Sequence, residues 1–576
     1  MSQNIRSVQN KRLSADQTIF TLLSEARQVG PITAETIGQI ADQHRLPAAW
    51  VRATAESYDT LNPNKSPHTL HLCRGEACRS AGVDQLRKKL IHQTGQPIGH
   101  VTCLGLCAHG PAAQIDEQPV SLSSTTAEQA LVEHLNEGTP LSLATPTSRF
   151  YLQPAPVVQF LLPNFLPSKP NLKTKEQAPC HQPTYKTLQE LVGRIAPQSI
   201  RKQIQLSQLR GRGGAGFPTG EKLEIVATTT VKDGSNRRFV VINADEGDAG
   251  SFIDKMLMES APHLVLEGAL LAAYAVQATG LYFYIRHEYP LAWERIHQAV
   301  EQAKSRGLLT DSDNQGLMNC SVTLVRGQGA YICGEETSLL RSIEGLPVQV
   351  SIRPPYPAQE GLFGCPTAVQ NVETICNLPI ILNQGAAAYS AVGTEFSRGT
   401  KLVSINNAVR YPGLYEAPFG TPIRTIIQQW AGGPLPGRQI QAVQIGGPLG
   451  TFLSPEQLDT PFSFEHLSQI SGTLGHGSLV VFDDQIDLLQ IAHGLMAFGA
   501  RESCGKCFPC RLGSVRAEEL LRQLCQNGIN TEKLAVLDSL CETLTTASLC
   551  GLGRMLPTPI ESLRRFFPHL WTVESD

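Results

Sequence analysis

The chain has 576 residues, of which 41% are apolar and only 17% charged, with a net charge of −3. At roughly 150 residues per domain it can build three or four packed cores. The composition excludes a disordered chain and a basic field able to hold nucleic acid.

The first residues, MSQNIRSVQNKRLSADQ, contain no apolar run and no arginine pair, so no secretory signal is expected. Thr18–Arg27 and Ala34–His44 have helical apolar spacing, and the N-terminal helical segment is drawn over 1–67. Residues 68–135 form a small α/β unit, with strands at Thr69–Leu72 and Pro119–Leu122 and helices at Val83–Gln93 and Thr126–Leu135. Nine prolines in 136–185 mark a semi-rigid linker that packs against something rather than folding alone. A larger α/β domain follows over 186–399, with strands at Phe239–Ile242, Leu281–Ile285 and Val322–Val325. Within it, Gly268–Ile285 comes nearest to a membrane span, but Gln277, Thr279 and Gly280 divide it into a helix and a strand. Residues 400–464 form a compact β-rich insert, with runs at Leu402–Ile405 and Gln441–Ile445, and 465–576 is helical, most clearly from about 485. The expectation is a cytoplasmic multidomain α/β protein without membrane insertion.

The fifteen cysteines are the informative count, because in a reducing compartment clustered cysteines bind metal or do redox chemistry. Cys504, Cys507 and Cys510 lie three residues apart in ESCGKCFPC, with Cys550 downstream. Three thiols wrapped in a tight turn suit a polynuclear cluster. Zinc sites use two separated C-x2-C knuckles, and the bacterial ferredoxin run needs its fourth cysteine three residues on. A single 4Fe-4S cluster is the better reading. Cys73, Cys78, Cys103 and Cys107 form two close pairs, CRGEAC and CLGLC, whose spacing alone suits zinc or a 2Fe-2S cluster about equally. Cys525 and Cys541 read as core thiols.

Arg210–Lys222 holds five glycines in ten positions and formally contains G-x-G-x-x-G, but the preceding Pro197–Leu209 is helix-like, so the strand a Rossmann loop requires is missing. A loop of this kind lets backbone amides approach a flat or phosphorylated ligand, with Arg212 and Lys222 as countercharges and Phe217 as a stacking face. VRGQGAYICGEE opens a helix near Gly334, with Glu335 and Glu336 in its first turn. They either complement the helix dipole or accept hydrogen bonds from a ligand. Asn243, Asp245, Glu246 and Asp248 follow a strand directly, the position where α/β folds bind ligands.

Taken in order, GRGGAGFPTG, NADEG, GAYICGEE, QNVET and ESCGKCFPC with Cys550 resemble the flavin-containing NADH-oxidising subunit of respiratory complex I and its diaphorase relatives over residues ~190–576. CRGEAC…CLGLCAHGPA in residues ~15–135 resembles the thioredoxin-like 2Fe-2S partner subunit of those complexes, which favours iron over zinc there. The resemblance implies a helical bundle and thioredoxin-like domain, an FMN/NADH-binding α/β domain, a β-grasp-like insert and a C-terminal helical 4Fe-4S bundle. It places FMN on Gly211, Arg212, Gly213, Gly214, Gly216 and Gly220 of the loop, with Asn243, Asp245, Tyr331, Gly334, Glu335, Asn371 and Thr374. It places NADH on the flavin near Phe217, with Lys222, Glu246 and Glu336 beside it, and Glu246, Glu336 and Asp248 setting the nicotinamide.

The sequence departs from the family pattern at Leu223 (usually Trp), Asp248-Ala249 (Glu-Pro), Arg353 (Lys), Tyr356 (Phe) and Gln370 (Asn). These positions also belong to the nucleotide site by resemblance, and their shifts bear on affinity rather than chemistry. NAD rather than NADP is implied, and Val240–Gly250 offers no arginine for a 2′-phosphate. Both subunits fused in one chain is similar to formate dehydrogenase beta subunits and hydrogenase diaphorases. GLFGCPTAVQNVET, QIGGPLGTF, HGSLVVFDD and ESCGKCFPCRLGS resemble the formate dehydrogenase form most. The implied function is electron transfer between NAD(H) and iron–sulfur clusters through FMN, with the 4Fe-4S cluster on the path and the 2Fe-2S cluster a side or storage centre. The implied partner in a hetero-oligomer is a catalytic alpha subunit carrying further clusters and molybdenum or tungsten. The alternatives are a hydrogenase or complex I module, or a relay scaffold without turnover.

Overall fold

In the computed structural model, residues 18–64, 70–141, 143, 148–151, 153, 157–164, 185–231, 234–309 and 316–572 are described. Helices Ile19–Val29 and Ala34–Gln43 begin at Thr18 and Thr33, whose side chains cap the amides three residues on. With helix Ala48–Ala55 they bury Leu23, Ile37 and Val51. Tyr58, at the end of this bundle, meets Ser342 of the central domain at 2.7 Å.

The first sheet has the order β2-β1-β3-β4, with β1 Leu70–Cys73, β2 Gly99–Val101, β3 Ala112–Ile115 and β4 Gln118–Ser121. β1 and β2 are parallel and the other pairs antiparallel, and helices Val83–Thr94 and Thr125–Glu137 pack together against this unit.

The described part of the proline-rich stretch is anchored. Its short strand β5, Phe150–Tyr151, pairs with Leu414–Tyr415, and the Tyr151 ring stacks on Tyr415 at 4.8 Å. The amides of Phe160, Leu161 and Leu162 all donate to the buried Glu416 carboxylate at 2.6–3.0 Å. Residues 165–184 of that stretch lie outside the described residues.

The central sheet is fully parallel in the order β8-β7-β6-β9, with β6 Phe239–Ala244, β7 Gly280–Ile285, β8 Ser321–Arg326 and β9 Thr367–Asn371. β6 is apolar along almost its whole length, as expected of a strand covered on both faces. Helices Pro262–Val276 and Val372–Gln384 cross so closely that a Cβ at Gly268 would sit 2.1 Å from the Ile375 carbonyl oxygen. That crossing fixes the helix layer, and with it the carboxyl ends of β6 and β9 where Asn243 and Asn371 stand.

The third sheet has the order β13-β12-β14-β10-β11-β5, adding β10 Thr400–Ile405, β11 Gly413–Pro418, β12 Ile440–Ile445, β13 Thr451–Leu453 and β14 Ser478–Asp483. β14 pairs with both β12 and β10 at its centre, so the boundary drawn at 464 cuts through this sheet and is corrected to a point beyond 483. Helices Leu488–Glu502, Phe508–Asn527, Thr531–Ala547, Gly551–Met555 and Thr558–Phe566 complete the chain. Among the described residues no helix is long and apolar enough to cross a membrane.

Candidate functional site

The glycine loop is closed by the Gly211 amide donating to the Phe217 carbonyl at 2.9 Å, and the Arg212 amide donates to Thr374 Oγ1 at 2.8 Å. Arg212 is 0% exposed. Its guanidinium donates to the carbonyls of Arg210 and Arg398 and to the Tyr389 hydroxyl at 2.8–2.9 Å, and lies over the Phe419 ring. The countercharge expected of Arg212 is therefore corrected: its cation is spent inside the protein, holding the loop's shape. Gly213 lets the loop approach Asn371, whose Cβ would lie 3.0 Å from a Cβ there, and Gly214 takes a backbone φ of +116° that favours glycine. Gly220 serves packing, because a Cβ there would meet the Gln205 backbone nitrogen at 2.7 Å. Phe217 keeps 42% of its surface exposed, with Lys222 Nζ 5.9 Å from its ring centre.

The carboxyl end of β6 supplies the next wall. Asn243 Nδ2 donates to the Gly334 carbonyl at 2.8 Å, and its Oδ1 accepts the Asp245 amide. Asp245 Oδ2 is buried without a hydrogen-bond partner, and burial raises this carboxyl to about 8, with Arg286 pulling the other way. Glu246 departs from expectation. Its carboxylate accepts from Ser251 Oγ and from the amides of Ile253, Asp254 and Lys255, capping helix Ile253–Ser260. This carboxylate, 1% exposed, is engaged in holding the start of that helix. Asp248 accepts the Tyr331 hydroxyl at 2.7 Å, which joins the β6 loop to the Tyr331–Gly334 turn.

Glu335 caps helix Glu336–Ile343 through the Thr337 and Ser338 amides, and burial raises its pKa. Glu336 faces Arg353 at 2.9 Å and Lys222 at 3.7 Å, so these three expected residues meet in one cluster. Tyr356 stands 53% exposed beside Arg353, at 5.9 Å. Asn371 caps helix Val372–Gln384 through the Thr374 amide and donates to Asp254 at 2.6 Å. Gln370 Nε2 is buried and unpartnered. Leu223, the departure from tryptophan, is a fully buried core residue, and Ala249 packs against the cysteine loop, where a Cβ at Gly75 would lie 3.0 Å from its own.

The N-terminal thiols converge. Cys103 Sγ and Cys107 Sγ are 3.9 Å apart, and the neighbouring Cys103 and Cys78 thiols, with burial, push the pKa of Cys73 well above its ordinary value. All four are buried. At the C-terminal set, burial pushes Cys510 up to about 11, with Cys507, Cys550 and Cys504 adding to the rise, so these four sulfurs share one locale. Glu502 ties the regions together: Oε1 accepts from Thr102 at 3.3 Å and Oε2 from the Tyr331 amide at 3.0 Å, two residues before Cys504. Arg286 reaches the Cys103 carbonyl at 2.8 Å and the Glu246 carbonyl.

Comparison with known proteins follows this geometry segment by segment. Residues 5–136 match the family described as thioredoxin-like [2Fe-2S] ferredoxin, 204–380 the Nuo51 FMN-binding domain, and 490–573 the NADH-ubiquinone oxidoreductase-F iron-sulfur binding region. The chain is 39% identical to the F 2 subunit of NADH-quinone oxidoreductase from Rhizobium meliloti, over 64% of this chain and 87% of that protein. It belongs to the family of NADH-quinone oxidoreductase F subunits. NADP-reducing hydrogenase subunit HndC of Solidesulfovibrio fructosivorans is 38% identical over 66% of this chain and 77% of its own. A crystal structure of NAD+-reducing [NiFe]-hydrogenase in the H2-reduced state is similar with a TM-score of 0.83 at 30% identity, covering 96% of this chain and 92% of that one.

As a member of the F-subunit family the chain is an oxidoreductase subunit of the NADH-oxidising diaphorase kind, carrying FMN, a 2Fe-2S and a 4Fe-4S centre. The residues fit these groups. Unpartnered Asp245 Oδ2, 3.8 Å from where a Cβ on Gly334 would stand, and unpartnered Gln370 Nε2, on β9 beside β6, are buried polar atoms that suit a polar ligand. Each cysteine set offers four thiols of the soft type that iron–sulfur clusters take.

Sequence reasoning missed His476 and Lys401. Lys401 is fully buried against Glu373, and His476 lies 2.9 Å from Asp254. HGSLVVFDD was visible as a segment, but only the β14 turn shows that its histidine reaches the β6 loop.

Proposed function

We propose that this chain exchanges electrons between NAD(H) and a partner subunit's iron–sulfur centres, working in the cytoplasm as the diaphorase of an NAD-dependent formate dehydrogenase. The observation that supports the diaphorase reading is the convergence of the FMN cradle and both cysteine sets on Glu502 and Tyr331. FMN, when bound, supplies the conversion between hydride and single electrons. The chain's residues supply everything around it. Gly213 and Gly214 shape the glycine loop, Asp245 and Gln370 offer polar anchors, and Phe217 with Lys222 lines the nucleotide's approach. The acidic Glu336, restrained by Arg353 and Lys222, and Asp248, restrained by Tyr331, orient the nicotinamide end and limit how tightly it is held.

The formate assignment rests on the resemblance of GLFGCPTAVQNVET, QIGGPLGTF and HGSLVVFDD to formate dehydrogenase beta subunits. A second reading, a hydrogenase diaphorase, is favoured by the near full-length likeness to the [NiFe]-hydrogenase chain, fused N-terminal region included. A complex I module is supported by the Rhizobium meliloti relative, which matches over 87% of its own length but only 64% of this chain. Metal analysis of the complex purified through this chain decides: molybdenum or tungsten supports the formate partner, and nickel overturns it. Absence of NADH:ferricyanide activity after flavin reconstitution would remove the diaphorase reading altogether.

A further inference from the structure

We propose that His476, a buried imidazole contributed by the third sheet and faced by three carboxylates, is a positioning residue for the flavin and nucleotide cradle and makes flavin reduction easier. This inference rests on FMN occupying the cradle described above.

His476 sits in the turn that enters β14, and it is 7% exposed. The turn abuts the glycine loop: a Cβ at Gly214 would lie 3.6 Å from Gly475. His476 Nε2 is 2.9 Å from Asp254 Oδ2, 3.8 Å from Glu246 Oε1 and 3.2 Å from Asn371 Nδ2, and Nδ1 is 3.9 Å from Asp248 Oδ2. Asp254 Oδ2 also accepts from Asn371 Nδ2 at 2.6 Å. A ring N–H directed at Asp254 lets this carboxylate hold the imidazole and the Asn371 amide together.

The charges around the ring come from four elements. Glu246 and Asp248 lie on the β6 loop, Asp254 on helix Ile253–Ser260, Glu373 on helix Val372–Gln384, and Lys401 on β10. Glu373 is spent on Lys401, which also donates to the His476 carbonyl. Three carboxylates therefore face one imidazole. Burial alone would push this histidine down, but Asp254 and Glu246 outweigh it and raise it to about 9. Without that cation Asp248 and Asp254 would crowd as like charges in a desolvated pocket.

Hydride from NADH brings two electrons and one proton to the flavin and leaves NAD+, adding negative charge to the cradle. An imidazolium already in place stabilises that charge, while a neutral side chain does not. His476→Gln keeps a donor toward Asp254 and removes the charge, and His476→Lys restores a charge.

The test is anaerobic equilibration of each protein with set NADH:NAD+ ratios, following flavin absorbance. FMN content is measured first, on the wild type, so that the cradle is checked separately. The glutamine variant should need about a tenfold higher NADH:NAD+ ratio for half-reduction, which is about 30 mV for a two-electron couple, and the lysine variant should recover part of it. In the wild type the flavin potential should fall more steeply with pH above about 9, where the imidazolium is lost from the oxidised enzyme, and the glutamine variant should show no such break. The wild-type profile stands even if both variants misfold. Equal half-reduction ratios in glutamine variant and wild type, or a wild-type profile without the break, would overturn the proposal.

Discussion

Replacing Arg212 by methionine separates two roles that a glycine-loop arginine can have. Methionine keeps most of the volume and removes every donor. Three acceptors, the carbonyls of Arg210 and Arg398 and the Tyr389 hydroxyl, then lose a cationic partner in a site with no exposure. A stranded buried acceptor costs about 1–3 kcal/mol. The Tyr389 hydroxyl still donates to Asn377, so part of its loss is spared. A net loss of about 3–5 kcal/mol is expected, the range for removing one partner from a buried charged network. That is a large share of the roughly 5–15 kcal/mol that holds a domain together. The assay is a thermal melt followed by flavin fluorescence, with FMN quantified after acid extraction. Melting temperature and flavin retention should fall together, because the loop loses its shape. A variant that melts like the wild type yet binds no FMN would show that Arg212 contacts the ligand's phosphate, and the structural account of this arginine would be refuted.

Asp245 should make the flavin-free protein less stable as pH rises. Its folded pKa of about 8 lies above the ordinary carboxyl value, so the folded state binds more protons between about pH 4 and 8, and stability falls across that window. Asp245→Asn should remove that slope in urea titrations, and an unchanged slope would contradict the burial of this carboxyl. Glu416→Ala leaves the amides of Phe160, Leu161 and Leu162 without their acceptor, at about 1–3 kcal/mol each. Limited proteolysis should then cut near residues 157–164 at least tenfold faster, and equal cutting rates would contradict the anchor. Cys507→Ala should abolish electron delivery to the partner and the 4Fe-4S EPR signal, while NADH still bleaches some flavin. Loss of bleaching with full FMN content would argue against that division of labour.

The sequence exposed the elements whose signals are local. The apolar runs at Phe239–Ile242, Leu281–Ile285 and Val322–Val325 became β6, β7 and β8, and the cysteine spacing marked both thiol sets. The motif residues Asn243, Asp245, Tyr331, Gly334 and Asn371 also meet. What remained hidden was direction. A glutamate in NADEG can face a ligand or turn back to cap a helix, and Glu246 turns back because the Ile253–Lys255 amides need an acceptor. Arg212 reads as a cation for a ligand until Tyr389, 177 residues on, claims it. β14 and His476 depend on pairing with β10, some 75 residues earlier in the chain, which no local pattern encodes.

The three amides gathered by Glu416, with β5 zipped beside β11, make the connector a fastening rather than a tether. Two separate polypeptides would have to surrender translational and rotational freedom, an estimated ~4–15 kcal/mol, each time they met. One chain riveted at Glu416 has made that sacrifice during folding. Dilution, which would strip a loosely associated small iron–sulfur protein from its flavoprotein, should leave this one with its full complement of centres.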